Sequence, residues 1–285
     1  MVVPDDIRKC VAFIGLRMAD GTFRFAGSLF FLGKTIEGGV LAGSMYAVTA
    51  RHVIDNIRKT GVTESYLRVN LKDGQAQWFK APLGTWFVHP TDLSIDVAIL
   101  PMGLPEPLDH LFLPYSLCAT EQQMKDNEVG VGEEVFVTGL FKHHHGSRRN
   151  IPIVRVGNLA CMTEEKVATN HFGEMDAFLI EARSIGGLSG SPVFLSLGSS
   201  RVIKGTVRLG PNDPPFLLLG LVHGHYDVGT TEIDRLSDDG TDAAQNDYVN
   251  TGIAIVVPFN KIDAVVSAFE ASRAESGRSD KEASQ

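Results

Sequence analysis

Cysteine is scarce in this chain of 285 residues: three, at positions 10, 118 and 161. An odd, widely spaced set has no metal-ligand spacing and argues against a disulfide framework. It fits a reducing compartment, so the expected location is the cytoplasm. Long apolar runs are missing as well: none reaches membrane-spanning length, and no membrane association is expected. The N-terminal segment, Met1 to Lys9, lacks a signal-peptide pattern. Basic runs are also lacking. The net charge is −8 and no Lys/Arg stretch is sustained, which argues against nucleic acid as the main partner. There are no repeats and no appended binding module.

What the chain does have is apolar content and many short strands. Hydrophobic residues make up 44%, enough for one large domain or two smaller ones with real cores. Strand-like runs recur between turn signals over residues 8–103, pause in a polar, proline-containing connector at 104–132, and resume over 133–258. That pattern predicts an all-β chain of two barrels or sandwiches. Ile262, Val265, Val266 and Phe269 then fall at helical spacing, and Asn260 can cap them. This predicts one C-terminal helix over 259–274. The tail 275–285 is polar and is expected to be disordered.

One loop carries chemistry. In Gly187-Leu188-Ser189-Gly190-Ser191-Pro192 a serine lies between glycines, just before the apolar run Val193-Phe194-Leu195. Glycines permit unusual backbone angles and close approach of a second molecule. A nucleophilic serine needs that exposure, with bare N–H groups beside it to receive an oxyanion. A base and an acid have candidates upstream. His52 follows the β-prone Met45–Thr49 on what reads as the first turn of a short helix. Asp96 opens the apolar run Val97–Leu100, where a carboxylate is costly to bury unless paired. Asp92, in the preceding turn, is the rival acid. The order is His, Asp, Ser, with gaps of 44 and 93 residues.

On these residues the chain resembles the trypsin-like serine peptidases of the chymotrypsin fold. Thr49-Ala50-Arg51-His52 is similar to the family's T-A-x-H. Asp96-Val97-Ala98-Ile99-Leu100 is similar to its D-I-A-L-L. Gly187 to Pro192 is similar to G-x-S-G-G-P, with Ser191 in place of the second glycine. Ala26–Phe31, Gly132–Val137 and Gly252–Pro258 resemble the bacterial HtrA-like branch, without its usual PDZ domain. The resemblance covers roughly residues 8 to 272. It implies two six-stranded antiparallel β-barrels, with His52 and Asp96 in the first and Ser189 in the second.

The resemblance also implies roles. Ser189 attacks the peptide carbonyl, His52 moves the proton and Asp96 orients the imidazole. The N–H groups of Gly187 and Ser189 form the oxyanion hole. An α/β-hydrolase elbow is excluded, since Ser191 occupies its fifth position and the acid and base lie upstream. Leu188 stands where zymogen-type relatives carry an aspartate, so activation by N-terminal cleavage is not expected. Arg183 falls near the floor of the primary pocket, where it would favour an acidic side chain if it points inward; alternatively it faces solvent or pairs with Glu181. His223 and His225 are candidates for the opposite wall, where an imidazole can donate to Glu or Gln; alternatively they are a packed strand histidine and a loop histidine. The acidic stretch Tyr226–Asn250 is expected near the cleft. His143-His144-His145 reads as an exposed loop, and no metal or cofactor is expected.

The resulting expectation is a serine endopeptidase of restricted specificity acting on proteins or peptides. Two alternatives stand beside it: a catalytically silent binding protein on a protease fold, and a protease switched on by an activating protein partner.

Overall fold

A computed structural model describes residues 2–34, 45–103, 108–169, 172–182, 187–198, 200–210, 214–229 and 248–282. A short helix α1 (Asp5–Lys9) leads into strands β1 (Val11–Arg17), β2 (Phe23–Gly33) and β3 (Met45–Thr49), and then helix α2 (Arg51–Lys59). Strands β4 (Glu64–Asn70), β5 (Ala76–Pro82), β6 (Phe87–Val88) and β7 (Ala98–Pro101) complete the first half. The connector contains β8 (Leu113–Pro114) and α3 (Glu121–Asp126), whose Thr120 and Gln123 form a reciprocal cap. The second half holds β9 (Glu134–Gly139), β10 (Ile153–Cys161), β11 (Val167–Thr169), β12 (Gly173–Met175), β13 (Phe178–Glu181) and β14 (Pro192–Ser196). It continues with β15 (Ser200–Ile203), β16 (Thr206–Leu209), β17 (Phe216–Gly229), β18 (Tyr248–Pro258) and helix α4 (Phe259–Glu282).

The architecture is all-β, with two strand assemblies and a C-terminal helix. The second assembly is a closed six-stranded barrel in the order β10-β13-β18-β17-β14-β9. The first is an eight-stranded sheet, β5-β4-β1-β2-β3-β7-β6, with β8 alongside β2 in parallel. It curls as a half-barrel rather than closing through backbone pairs among the described residues. Its edge strand β5 is covered instead: the Ala76 N–H donates to the Arg148 carbonyl of the second half at 2.8 Å.

Strand alternation feeds two cores at once. Val193 and Leu195 of β14 fill the barrel with Val135, Val137, Leu217 and Leu219. The residues between them, Phe194, Phe136 and Leu218, face outward into a core shared with the first sheet and with Ile262, Val265 and Val266 of α4. Phe136 and Phe194 stack at 4.8 Å there. The seam between the sheets is therefore packed by an apolar core shared by both.

Two local expectations change. The run Val202–Val207, readable as one strand, is a hairpin. Lys204 and Gly205 both have positive φ, 51° and 74°, the geometry of a two-residue turn that reverses the chain. Helix α4 runs on to Glu282, past residue 274, and begins at Phe259, so Asn260 lies in its first turn.

Candidate active site

Strand β3 delivers Thr49 and Ala50 in extended conformation, and α2 starts at once. Val53, Ile54 and Ile57 of α2 are buried, so His52, on another face of the first turn, meets the cleft between the sheets. Ala50 offers no side-chain cap to α2. Asp96 supplies one from across the sheet: its Oδ1 accepts the His52 backbone N–H at 2.8 Å. Its Oδ2 faces the His52 Nδ1 at 2.8 Å. Asp96 lies between Ile95 and Val97 and is fully buried. Burial works to raise its carboxyl, but the His52 charge, the His223 bond and the His52 bond outweigh it, holding Asp96 below the ordinary carboxylate value.

The rival acid does something else. Asp92 Oδ1 accepts the Ser94 hydroxyl at 2.6 Å and the Ser94 N–H at 3.0 Å, closing a turn. That hydroxyl bond is the main reason its carboxyl is held low.

A second imidazole completes the cluster. Of the two readings left open for His223, pocket wall or packed strand histidine, the strand places it as a buried histidine whose Nδ1 lies 2.5 Å from the same Asp96 Oδ2. The reason is a bulge: β17 and β18 slip register between Val222 and Gly224, and a bulge re-aims the side chain at its extra residue. The two imidazoles meet edge to face at 5.2 Å. Phe172 lies edge-on to His223 and beneath the Arg51 guanidinium. His225, two residues on, pairs through its backbone with Ala254 and is half-buried. Arg183 and most of the acidic stretch, residues 230–247, lie outside the described residues.

Ser189 joins the cluster from the barrel. Its hydroxyl donates to the His223 carbonyl at 3.3 Å. The turn that carries it is held by the first sheet. The Ser28 N–H donates to the Ser189 carbonyl at 3.0 Å. The buried Ser28 hydroxyl donates to the Gly187 carbonyl and accepts the Leu140 N–H, both at 2.9 Å. Gly190 has φ +81°, and a Cβ there would stand 2.3 Å from the Ser28 carbonyl oxygen and from Thr49 Oγ1. Gly187 has φ +112°. Both glycines are therefore demanded by backbone geometry.

Among the described residues, His52, Asp96 and His223 are also the one trio whose donor atoms lie close enough to share a metal ion, within 4.8 Å of each other. The fit is poor. Tetrahedral zinc with bonds of ~2.05 Å sets its donors ~3.3 Å apart. The separations of 2.8 and 2.5 Å here are hydrogen-bond distances. The His143–His145 run is no such site: it lies in a short 3-10 turn, with the His145 ring against Phe25 at 4.4 Å.

One closed barrel packed against a curled second sheet, followed by a C-terminal helix, is the fold of trypsin-like serine proteases. The solved structure of the Rv3671c protease from M. tuberculosis, in its active form, is 15% identical with a TM-score of 0.50, over 92% of this chain and 81% of that one. Deg5 is 14% identical with a TM-score of 0.48, over 90% of this chain and 87% of that one. At this identity the likeness concerns the fold. No family model and no curated protein matches the sequence. Among the described residues, no helix is long and apolar enough to cross a membrane.

Proposed function

We propose that the protein is a serine endopeptidase that hydrolyses peptide bonds through an acyl-enzyme. The observation that carries this reading is the buried Asp96 carboxylate, bonded to the His52 Nδ1 at 2.8 Å, in a cleft whose lining includes His52, Gly187 and Ser189. With Nδ1–H donated to Asp96, the His52 Nε2 is left as the base. It takes the proton of Ser189 Oγ as that oxygen bonds to the substrate carbonyl carbon. The carbonyl oxygen, now anionic, is received by the N–H groups of Gly187 and Ser189. Collapse breaks the C–N bond, and His52 returns the proton to the leaving amine. Water, deprotonated by the same imidazole, then releases the acid.

His223 is a positioning residue in this scheme. Its ring saturates the Asp96 oxygen that orients His52, so the carboxylate is held from two sides. Three free thiols fit a reducing compartment such as the cytoplasm. Burial pushes the Cys10 thiol up to about 12, which makes it inert.

The test is a fluorophosphonate probe with peptide-library hydrolysis. Label on Ser189, and hydrolysis lost in Ser189→Ala, support the reading; label on another serine, or hydrolysis by Ser189→Ala, ends it. One observation favours the partner-switched alternative: the Ser189 hydroxyl lies 3.3 Å from the His223 carbonyl, positioned to donate to it, and must turn to His52 before attack. Labelling of the purified chain that rises sharply on adding cell lysate would select that alternative.

A further inference from the structure

We propose that the cleft beside the site takes peptide segments bearing acidic side chains just after the scissile bond. This rests on the peptidase reading above and names its substrate class. The cleft measures about 590 Å³ and is walled by the β1–β2 hairpin, α2, Lys142 and the Ser189 turn. Among the described residues its lining runs from Ser189 and Gly187 past His52 to α2 and the β1–β2 hairpin, with none from β17, which puts it beside the imidazole that protonates the leaving amine. A chain lying there is the leaving half of the substrate.

Among the described residues, the charged side chains lining this cleft are Arg17, Arg24 and Lys142, and no acid lines it. Arg24 and Lys142 are exposed and form no salt bridge with a described residue. Arg17 spends its Nε on the Gly21 carbonyl, at 3.4 Å. The acids on the surrounding elements are already engaged. Asp20 accepts from the Thr22 hydroxyl and N–H. Asp55 is paired with Arg51 and Arg58. Glu64 is bonded to Lys80 and Tyr66. Lys142 is also placed, not merely nearby: its Cγ lies 3.1 Å from where a Gly187 Cβ would be. Its stem thus packs on the glycine expected to bind the oxyanion.

The chain as a whole carries −8, so this cationic cleft is local. At physiological salt the screening length is about 8 Å. Charges lining the cleft act on a bound side chain within that range, while charges beyond it are damped. Cleft attraction therefore dominates once a peptide is seated.

Two assays test this. In the wild-type protein, peptide libraries fixed as Asp/Glu or as Lys/Arg at the three positions after the bond are compared. The acidic set is expected to have roughly tenfold higher kcat/KM, and the double variant Arg24→Glu/Lys142→Glu to abolish or invert that ratio. Ser189→Ala serves for binding, read by fluorescence anisotropy with an Asp-rich and a Lys-rich peptide. It needs no turnover, so it answers even if the protein proves not to be a peptidase. Tighter binding of the Asp-rich peptide, weakened by 0.5 M salt and by the double reversal, supports the proposal. Hydrolysis indifferent to charge, equal binding, or acid preference confined to positions before the bond overturns it. Absent hydrolysis and probe labelling with acid-selective binding intact would remove the peptidase reading alone.

Discussion

The two sheets contribute to the cleft in opposite ways. The first sheet supplies His52 and Asp96 as a finished pair, bonded to each other by side chain and by backbone. The barrel supplies Ser189 on a turn that is not finished without its neighbour: Ser28, from the first sheet, holds it at two carbonyls. The first half makes the His52–Asp96 bonds itself and takes one more from His223 of the barrel; the Ser189 turn takes two from the first sheet. A lesion in the first half should disable chemistry and leave the seam alone. A lesion at the borrowed contacts should loosen the turn and the seam together.

The largest expected effect tests the part both halves share. Ser189→Ala should cut hydrolysis by roughly a millionfold with thermal stability held, as read by kcat and a melting curve. Next comes the first half. Asp96→Asn should cost about 10⁴-fold in kcat by allowing the wrong His52 tautomer. A loss under tenfold would mean that Asp96 only caps α2. His223→Ser should lower kcat by roughly 10- to 100-fold with KM unchanged, the range for a hydrogen bond to a charged group. It should also remove one of two low-field imidazole N–H proton resonances. A rise in KM instead would restore His223 to the pocket wall. Ser28→Ala probes the borrowed half. It leaves the Leu140 N–H and the Gly187 carbonyl unpaired in a buried seam, at about 1–3 kcal/mol of stability, and should slow probe labelling of Ser189. Unchanged stability and labelling would show that the turn is self-supporting.

The smallest effect is acid sensitivity. Asp96 is held below its ordinary 3.8 in the folded protein, so on acidification the unfolded chain takes up that proton first. Its contribution to stability is complete above about pH 4 and is lost as pH falls through the folded value. The melting temperature of the wild type should therefore drop more steeply below pH 4 than that of Asp96→Asn. Parallel curves would remove the claim.

His52, Asp96 and Ser189 were legible in the sequence because each sits in a local pattern: a helix start after a strand, a carboxylate before an apolar run, a serine among glycines. Most strands were legible too, since apolar alternation marks them. The turn at Lys204-Gly205 was missed because lysine does not announce a positive φ. Arg17, Arg24 and Lys142 carry no motif. They come together only because the β1–β2 hairpin and the Lys142 turn meet across the seam, and no periodicity in either segment records that meeting.

By itself the sequence determined the strand-rich architecture, the order of His52, Asp96 and Ser189, and the glycines the Ser189 turn requires. These depend on short stretches whose backbone preferences are set by their own side chains. Only the tertiary structure decided where His223 points and which charges line the cleft. One bulge in a strand sends an imidazole to the opposite sheet, and residues over a hundred positions apart become neighbours through a shared apolar seam. Such outcomes follow from the register and packing of whole sheets, which no local pattern contains.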